Sequence, residues 1–225
     1  MPETNRHLEL RTTLYLLLKR AFKERATIGS EQFVYYDPTN AKKNLAPDVF
    51  IKLDIPHKTF RTWKVWQRGA PEVAVEVVSD SDEAVDDWNE KLERYRATGI
   101  AEVVRFDADD KKHPIRVWDH IDGDLVERLP DNRLFECVAL GLYWVAVPDP
   151  DLDLVLRLAR DRAGRDLLPT SAEVEREEAR GRAEAEKARD AFAAEVLELR
   201  RKLEQKKTTD KHTPTKTKKR QPSKR

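Results

Sequence analysis

Apolar residues near the start of the chain recur at helical spacing and predict a helix over residues 6–25, with Gly29 marking its end. The residues on its apolar face are Leu10, Leu14, Leu17, Leu18, Ala21 and Phe22. Three stretches with strand-like composition follow at 32–36, 48–53 and 73–79, separated by prolines. We expect the helix to lie on a sheet that contains all three strands.

A second helix is predicted between residues 82 and 98. Val85, Trp88, Leu92 and Tyr95 form one stripe at helical spacing, and Gly99 supplies the C-terminal stop. Residues 101–106 then have the pattern of a strand. The order strand, helix, strand favours a crossover connection and a locally parallel strand pair.

The pattern in the second half of the domain indicates antiparallel strands. Residues 115–118 and 125–129 flank Asp122-Gly123, a strong hairpin signal. Residues 152–158 and 167–168 flank a turn at Gly164. Together with the first half, this pattern predicts an α/β protein.

The chain changes character after Pro169, and we expect a domain over 1–170, a helical arm over 171–205 and a disordered basic tail over 206–225. The arm has an apolar seam of under three heptads, which is typical of a short coiled coil and of self-association. The seam consists of Ala185, Ala188, Phe192, Val196, Leu199 and Leu203, with Arg182 and Arg189 intruding upstream.

Charge is distributed unevenly along the 225 residues. The tail has nine Lys/Arg against one acid, Asp210, and since the whole chain carries +1 and the tail +8, residues 1–205 carry −7. Such a tail cannot bury enough apolar surface to fold alone, and it could bind phosphates without sequence specificity.

The single cysteine, Cys137, excludes an intramolecular disulfide and a cysteine metal cluster, and it fits a reducing compartment. The longest leucine-rich run, Leu14 to Leu18, is far shorter than a membrane span. The first eleven residues are charged and do not resemble a signal peptide. We therefore expect a cytoplasmic protein without a membrane segment.

Glu76 is the most informative residue, because it interrupts a strand that is otherwise apolar on both faces. A buried carboxylate requires a partner, since an isolated buried charge is costly. One explanation is a salt bridge to Lys or Arg. The other is a metal ion held by Glu76, by Asp48 at the head of a neighbouring strand and by the Val77 carbonyl, an oxygen set that suits Mg²⁺ or Mn²⁺.

Several motifs in order along the chain resemble one family. They are Pro47-Asp48-Val49-Phe50, Trp66-Gln67-Arg68-Gly69, Val75-Glu76-Val77-Val78-Ser79, Glu90-Lys91-Leu92-Glu93-Arg94-Tyr95 and Phe106-Asp107. Over about residues 7–170 the sequence resembles the Uma-two family, or domain of unknown function 820. That resemblance implies a restriction-endonuclease-like mixed sheet flanked by helices, with the long C-terminal helix that is frequent in the family.

The resemblance also implies roles for particular residues. Asp48 and Glu76 match the two metal-binding acids of the PD-(D/E)XK motif. Val78 departs from the pattern, because it stands where the motif has a lysine. Lys91 matches a lysine usual in the family and could replace it from the second helix. Its position on that helix is at the flank of the sheet-facing stripe, so we expect its ammonium to reach toward Glu76.

Other polar and aromatic residues have ordinary explanations. We expect Asp107 to serve in a turn and Glu9, Glu31 and His7 to lie on solvated surface, although His7 resembles a histidine that recurs in the family. The five tryptophans are expected to pack in the core. For Trp63 and Trp66, stacking on unpaired bases stays open as the less favoured alternative.

These observations favour a Mg²⁺-dependent DNA endonuclease in which Asp48, Glu76 and Lys91 are catalytic and the arm forms a homo-oligomer. RNA in place of DNA is the alternative substrate. The rival hypothesis is a non-catalytic module that retains the nuclease fold and binds nucleic acid or protein. The valine at position 78 favours that rival, whereas the buried Glu76 favours the enzyme.

Overall fold

The computed structural model describes residues 4–78, 88–129 and 134–210, with side chains through residue 205. The chain divides into two compact units at Ser171. The first unit contains three helices and all twelve strands of the described residues, and the second unit is a helical arm. The helices are α1 (Asn5–Phe22), α2 (Val65–Arg68), α3 (Trp88–Thr98) and α4 (Ser171–Asp210).

The strands form three sheets. The first six strands are β1 (Ala26–Gly29), β2 (Val34–Tyr35), β3 (Asn44–Leu45), β4 (Val49–Leu53), β5 (Trp63–Lys64) and β6 (Val73–Val77). The others are β7 (Glu102–Phe106), β8 (Ile115–Ile121), β9 (Asp124–Glu127), β10 (Phe135–Cys137), β11 (Leu142–Asp149) and β12 (Asp153–Ala159). The sheet orders are β1-β4-β6-β7-β8-β9, β10-β11-β12 and β3-β2-β5.

A mixed pattern of strand directions runs through the six-stranded sheet. The predicted parallel pair is confirmed, since β6 and β7 are parallel neighbours joined through α3, whereas β4 is antiparallel to β6. The predicted hairpin is also confirmed. Asp122 and Gly123 both have positive φ angles, 50° and 87°, as the turn between β8 and β9 requires.

Two apolar clusters cover the two faces of this sheet. On one face α1 packs its leucines against the odd-numbered residues of β6, Val73, Val75 and Val77. On the other face Tyr95 of α3 packs with Ala74. Because side chains alternate along a strand, Glu76 shares the face of Ala74 and lies toward α3. The domain is therefore an α/β layered structure with helices on both sides of a mixed sheet.

The interpretation of Gly29 as the end of the first helix is wrong. Helix α1 ends at Phe22, and Ala26–Gly29 forms strand β1, which pairs antiparallel with β4. Gly29 is instead required by close packing, because a Cβ atom there would lie 2.2 Å from the Phe50 ring. The strand is fully buried and only four residues long.

The expectation that three early strands share one sheet is wrong for the first of them. Strand β2 belongs to the small sheet with β3 and β5, whereas β4 and β6 are neighbours in the large one. The turn at Gly164 is found, with Ala159 bridged to Leu167. The antiparallel partner of β12 is mainly β11, which was not predicted.

The second predicted helix is confirmed over the residues that the structure describes. Helix α3 covers Trp88–Thr98, and Gly99 follows it with a φ of 77°. Residues 82–87 of that prediction lie outside the described residues. In the second unit, α4 runs through Asp210, so the helix extends about five residues into the predicted tail, and residues 211–225 are not described.

Helix α4 exposes apolar side chains of the predicted seam. The accessible fractions of Phe192, Leu199 and Leu203 are 67%, 52% and 60%. Across the part of the chain that the structure describes, no helix is both long enough and apolar enough to cross a bilayer.

Candidate active site

Asp48 and Glu76 are brought together by the register of two neighbouring strands. Val49 of β4 pairs with Val75 of β6 in antiparallel register, so the next positions on the two strands are Asp48 and Glu76. Both residues are buried, with 7% and 5% of their surface exposed. Two acids that are far apart in sequence thus meet at one end of the central sheet.

Glu76 has two partners, and both come from α3. Its Oε1 atom accepts a hydrogen bond from the Tyr95 hydroxyl, and its Oε2 atom lies 3.0 Å from the Lys91 ammonium. The side chain of Lys91 keeps 27% of its surface exposed, so its charge is held at the edge of the site. The expected approach of Lys91 to Glu76 is therefore present in the structure.

The pKa of Glu76 is raised to about 8. Burial is the largest cause, and the negative charge of Asp48 is the second, whereas Lys91 and Tyr95 act in the opposite direction. Lys91 and Tyr95 therefore do not compensate fully for burial and for the second carboxylate. A cation placed between the two carboxylates would stabilise their charged forms and lower the pKa of Glu76.

Asp48 is fixed by the main chain of the opposite strand and by α1. Its Oδ2 atom accepts a hydrogen bond from the Val77 amide at 2.7 Å and lies 3.3 Å from Nε2 of His7. Its Oδ1 atom lies 4.0 Å from Nε of Arg11. Arg11 is itself buried, and it contacts Ser30 and Glu31.

His7 connects two of the oxygens that were expected to hold metal. Its Nε2 atom is 2.9 Å from the Val77 carbonyl oxygen and 3.3 Å from Asp48 Oδ2. The start of α1 is fixed by Thr4, whose hydroxyl accepts a hydrogen bond from the His7 amide. The imidazole is therefore held directly against the carboxylate and the carbonyl.

The prediction that His7 is an ordinary surface histidine is wrong. Only 10% of its side chain is exposed. His7 is separated from Asp48 by 41 positions and from Val77 by 70, so local sequence patterns could not reveal the contact. The one available signal was the resemblance of His7 to a histidine of the family.

The other acids considered from sequence do not join this site. Asp107 accepts hydrogen bonds from the amides of Asp109 and Asp110, which confirms its role in a turn. Glu9 is exposed on α1. The carboxylate of Glu31 is half exposed and paired with Arg11.

The prediction that the tryptophans pack in the core is confirmed for Trp63 and wrong for Trp66. Trp63 is fully buried, and its indole N–H donates to the Gly69 carbonyl, so it is a packing residue. Trp66 is 43% exposed and does not pack in the core. At position 78 the valine only extends the strand, because its amide donates to the Phe106 carbonyl.

The donor atoms at this end of the sheet suit a hard divalent cation. Among the described residues, no three His, Cys, Asp or Glu side chains form a ready metal-binding group. Two carboxylates and the Val77 carbonyl are nevertheless adjacent, and Mg²⁺ typically uses one or two carboxylates and keeps several waters. The residues therefore fit Mg²⁺ or Mn²⁺ bound partly through water and substrate oxygens.

A mixed sheet flanked by helices, with an acid at the head of β4 facing an acid in β6, defines a restriction-endonuclease-like α/β protein. The family model Uma2, described as "Putative restriction endonuclease", matches residues 1–146. The chain belongs to the Uma2 family. The resemblance noted from its motifs is thereby confirmed.

One solved structure that is similar to the chain is described as a "putative nuclease belonging to DUF820" from Anabaena variabilis. The two sequences are 14% identical, the match covers 68% of this chain and 76% of that chain, and the TM-score is 0.43. Among curated proteins, none matches the chain at a significant level.

Proposed function

We propose that the protein is a divalent-metal-dependent endonuclease that hydrolyses phosphodiester bonds in DNA. The observation that carries this proposal is the pair of buried carboxylates of Asp48 and Glu76, which face each other. The Lys91 ammonium lies 3.0 Å from Oε2 of Glu76. A purely structural acid would need one compensating cation. Here a second acid adds negative charge at the same point and raises the pKa of the first.

In this proposal, Asp48, Glu76 and the Val77 carbonyl hold Mg²⁺ or Mn²⁺. A bound cation of this type lowers the pKa of a water and stabilises charge on the scissile phosphate. The ammonium of Lys91 lies beside Glu76 and is partly exposed, so it can approach the same phosphate. It takes the place of the lysine that position 78 lacks.

His7, Arg11 and Tyr95 act as positioning residues in this proposal. His7 and the Val77 amide hold the Asp48 carboxylate in one orientation, and Tyr95 does the same for Glu76. Such constraint matters, because displacement of a catalytic group by about 1 Å can reduce a rate roughly a hundredfold.

Cleavage of supercoiled plasmid in Mg²⁺, Mn²⁺ or Ca²⁺ tests the proposal. We expect the wild-type protein to nick plasmid in Mg²⁺ or Mn²⁺, and Asp48→Asn and Glu76→Gln to lose this activity. Glu9→Gln is the matched control, because Glu9 is an exposed acid outside the site. A labelled RNA assayed in parallel identifies the preferred substrate, and cleavage of RNA alone would contradict the DNA assignment.

The competing function is a non-catalytic nucleic-acid or protein-binding module. Two observations favour the module. Val78 stands where the motif has a lysine, and the pairing of Lys91 with Glu76 is also the geometry of a purely structural salt bridge. If the wild-type protein binds DNA but cleaves neither DNA nor RNA with any of these cations, the module is the better description.

The arm supports a further part of the proposal, namely self-association. Its exposed Phe192, Leu199 and Leu203 recur at the spacing of a coiled-coil seam. We propose that two copies associate through this seam, giving a homo-oligomer.

A further inference from the structure

The small sheet β3-β2-β5 has one buried face and one outward face. Val34 pairs with Leu45 and Trp63, and all three side chains are buried in the apolar cluster beneath. The neighbouring row pairs Tyr35 with Asn44 and Lys64. Because side chains alternate along strands, this row lies on the opposite, outward face.

Aromatic side chains collect on this outward face, which we call the aromatic face and define by Phe33, Tyr35, Lys64 and Trp66. Phe33 and Trp66 are 51% and 43% exposed. The rings of Phe33 and Tyr35 are 6.1 Å apart, and the Lys64 ammonium lies 6.0 Å from the Trp66 ring centre. Large exposed rings beside a cation are unusual on a surface that only has to be soluble.

The chain around this face is basic within an otherwise acidic domain. Residues 42–68 contain seven Lys/Arg and two acids, although residues 1–205 carry a net negative charge. The basic residues are Lys42, Lys43, Lys52, Lys58, Arg61, Lys64 and Arg68. Of these, Lys52 is paired with Glu72, and the Lys43 ammonium lies 3.8 Å from a carboxylate oxygen of Asp37. The local charge is complementary to a phosphate backbone.

The main chain that leads into the aromatic face is hydrogen-bonded to the residue before Asp48. The Glu31 amide donates to the carbonyl of Pro47, which directly precedes Asp48, and the Glu31 side chain contacts Arg11 at 3.1 Å. Phe33 follows Glu31 by two positions. A nucleic-acid strand bound on this face can therefore continue toward Asp48.

We propose that the aromatic face binds unpaired nucleotides of the substrate, with bases stacked on Phe33, Tyr35 and Trp66 and a phosphate contacted by Lys64. This inference rests on the proposed nuclease function, and it narrows the substrate to nucleic acid with a single-stranded segment. Bases inside a duplex hide their faces, so exposed rings on an open sheet match unpaired bases.

Binding in EDTA separates this inference from catalysis. Fluorescence anisotropy of the full-length protein is measured with a labelled oligothymidine and with a duplex of equal length. We expect Phe33→Ala and Trp66→Ala each to weaken oligothymidine binding roughly tenfold and duplex binding less than about twofold. Phe33→Tyr, which keeps a ring, should bind as the wild type does.

Leu16→Ala is the matched control, because Leu16 is an exposed, large apolar residue on α1 that is not part of the aromatic face, and it should change neither affinity. Unchanged oligothymidine affinity in both alanine variants, or equal losses for the two probes, would overturn the inference. Photocrosslinking of the wild-type protein to a 5-iodouridine strand provides a test that needs no variant. Adducts on Phe33, Tyr35 or Trp66 support the proposal, and adducts found only elsewhere reject it.

The binding measurements and the cleavage assay can fail independently, so failure of this inference can be told from failure of the nuclease proposal. If the wild-type protein cleaves nothing, but Phe33→Ala and Trp66→Ala selectively lose oligothymidine affinity, the nuclease proposal fails and the aromatic face is still a binding site. If the wild-type protein cleaves plasmid, but the two variants show no selective loss of oligothymidine affinity, the nuclease proposal stands and the aromatic face does not bind nucleotides.

Discussion

Two buried glutamates in neighbouring strands of the central sheet have contrasting surroundings. Glu102 at the start of β7 accepts a hydrogen bond from the Trp144 indole at 2.8 Å and lies 3.3 Å from Arg128. Glu76 in β6 has Lys91 and Tyr95, but it also faces Asp48. Glu102 shares Arg128 with Asp119, which is partly exposed, whereas Glu76 faces a second acid that is itself buried.

This contrast separates a structural carboxylate from a candidate functional one. Burial is the largest cause of the raised pKa at both residues. At Glu102 the second and third causes are hydrogen bonds from Trp144 and Cys137 that lower the pKa, whereas at Glu76 the second cause is another carboxylate. Burial alone therefore does not distinguish the two glutamates, whereas the second buried carboxylate opposite Glu76 does.

The largest expected effect on stability concerns Glu102. Glu102→Ala removes the acceptor of a buried indole and one partner of Arg128, so we expect a loss of about 3–5 kcal/mol in the free energy of unfolding. Glu76→Ala should cost less, about 1–2 kcal/mol, because the loss of the acceptor of the Tyr95 hydroxyl is offset in part by the relief of repulsion with Asp48, and Lys91 can still reach water. Urea unfolding of both variants measures the difference. Equal losses would remove the distinction between the two acids.

The next effect is on catalysis and concerns Lys91. If Lys91 acts on the scissile phosphate, Lys91→Met should fold and bind metal normally but cleave plasmid roughly a hundredfold more slowly. If Lys91 is only the salt-bridge partner of Glu76, the same change should instead destabilise the protein by a few kcal/mol. In that case Glu76→Gln combined with Lys91→Met should recover much of the loss, which would contradict a catalytic role.

A smaller effect is expected on the pH dependence of stability. Because the pKa of Glu76 is raised to about 8, the folded protein retains a proton that the unfolded chain releases near its ordinary pKa of 4.5. The contribution of Glu76 to stability is then present below about pH 4.5 and is lost as the pH rises through about 8.

The test compares the wild-type protein with Glu76→Gln in EDTA. The free energy of unfolding of the wild-type protein should fall relative to that of the variant between pH 5 and pH 8. The groups that face Glu76 are Asp48, Lys91 and Tyr95, and all remain in the variant. A constant difference across this range would show that the pKa of Glu76 is not raised.

The smallest effect is expected from the arm. Truncation after Thr170 removes α4, and the sedimentation mass should fall from that of an oligomer toward that of a monomer. Because the seam spans under three heptads, we expect association to be weak and concentration-dependent. An unchanged oligomeric state would place the contact between copies in the domain.

Sequence patterns predicted the parts of the site that lie on long, regular elements. Glu76 stands out within an apolar strand, and the spacing of Lys91 from Trp88 and Tyr95 placed it on the flank of α3 facing the sheet. The contact of Lys91 with Glu76 followed from these two placements. Their roles in metal binding and catalysis remain predictions.

The parts that sequence reasoning missed depend on tertiary contacts. His7 meets the Val77 carbonyl across 70 positions, and no local periodicity encodes such a meeting. Strand β1 has four residues and ends in Gly29, which resembles a helix stop unless the proximity of Phe50 is known. Strand β11 contains Pro148, which weakens a strand signal.

Binding of Mn²⁺ tests the central claim most directly, since the account depends on Asp48 and Glu76 forming a cation site. Thermal unfolding of the wild-type protein should shift upward with Mn²⁺, by an amount that grows with its concentration, because a ligand that binds only the folded state stabilises it. Asp48→Asn and Glu76→Gln should fold and lose the shift, while Glu102→Gln should retain it. A wild-type protein whose unfolding does not respond to saturating Mn²⁺ would contradict the account.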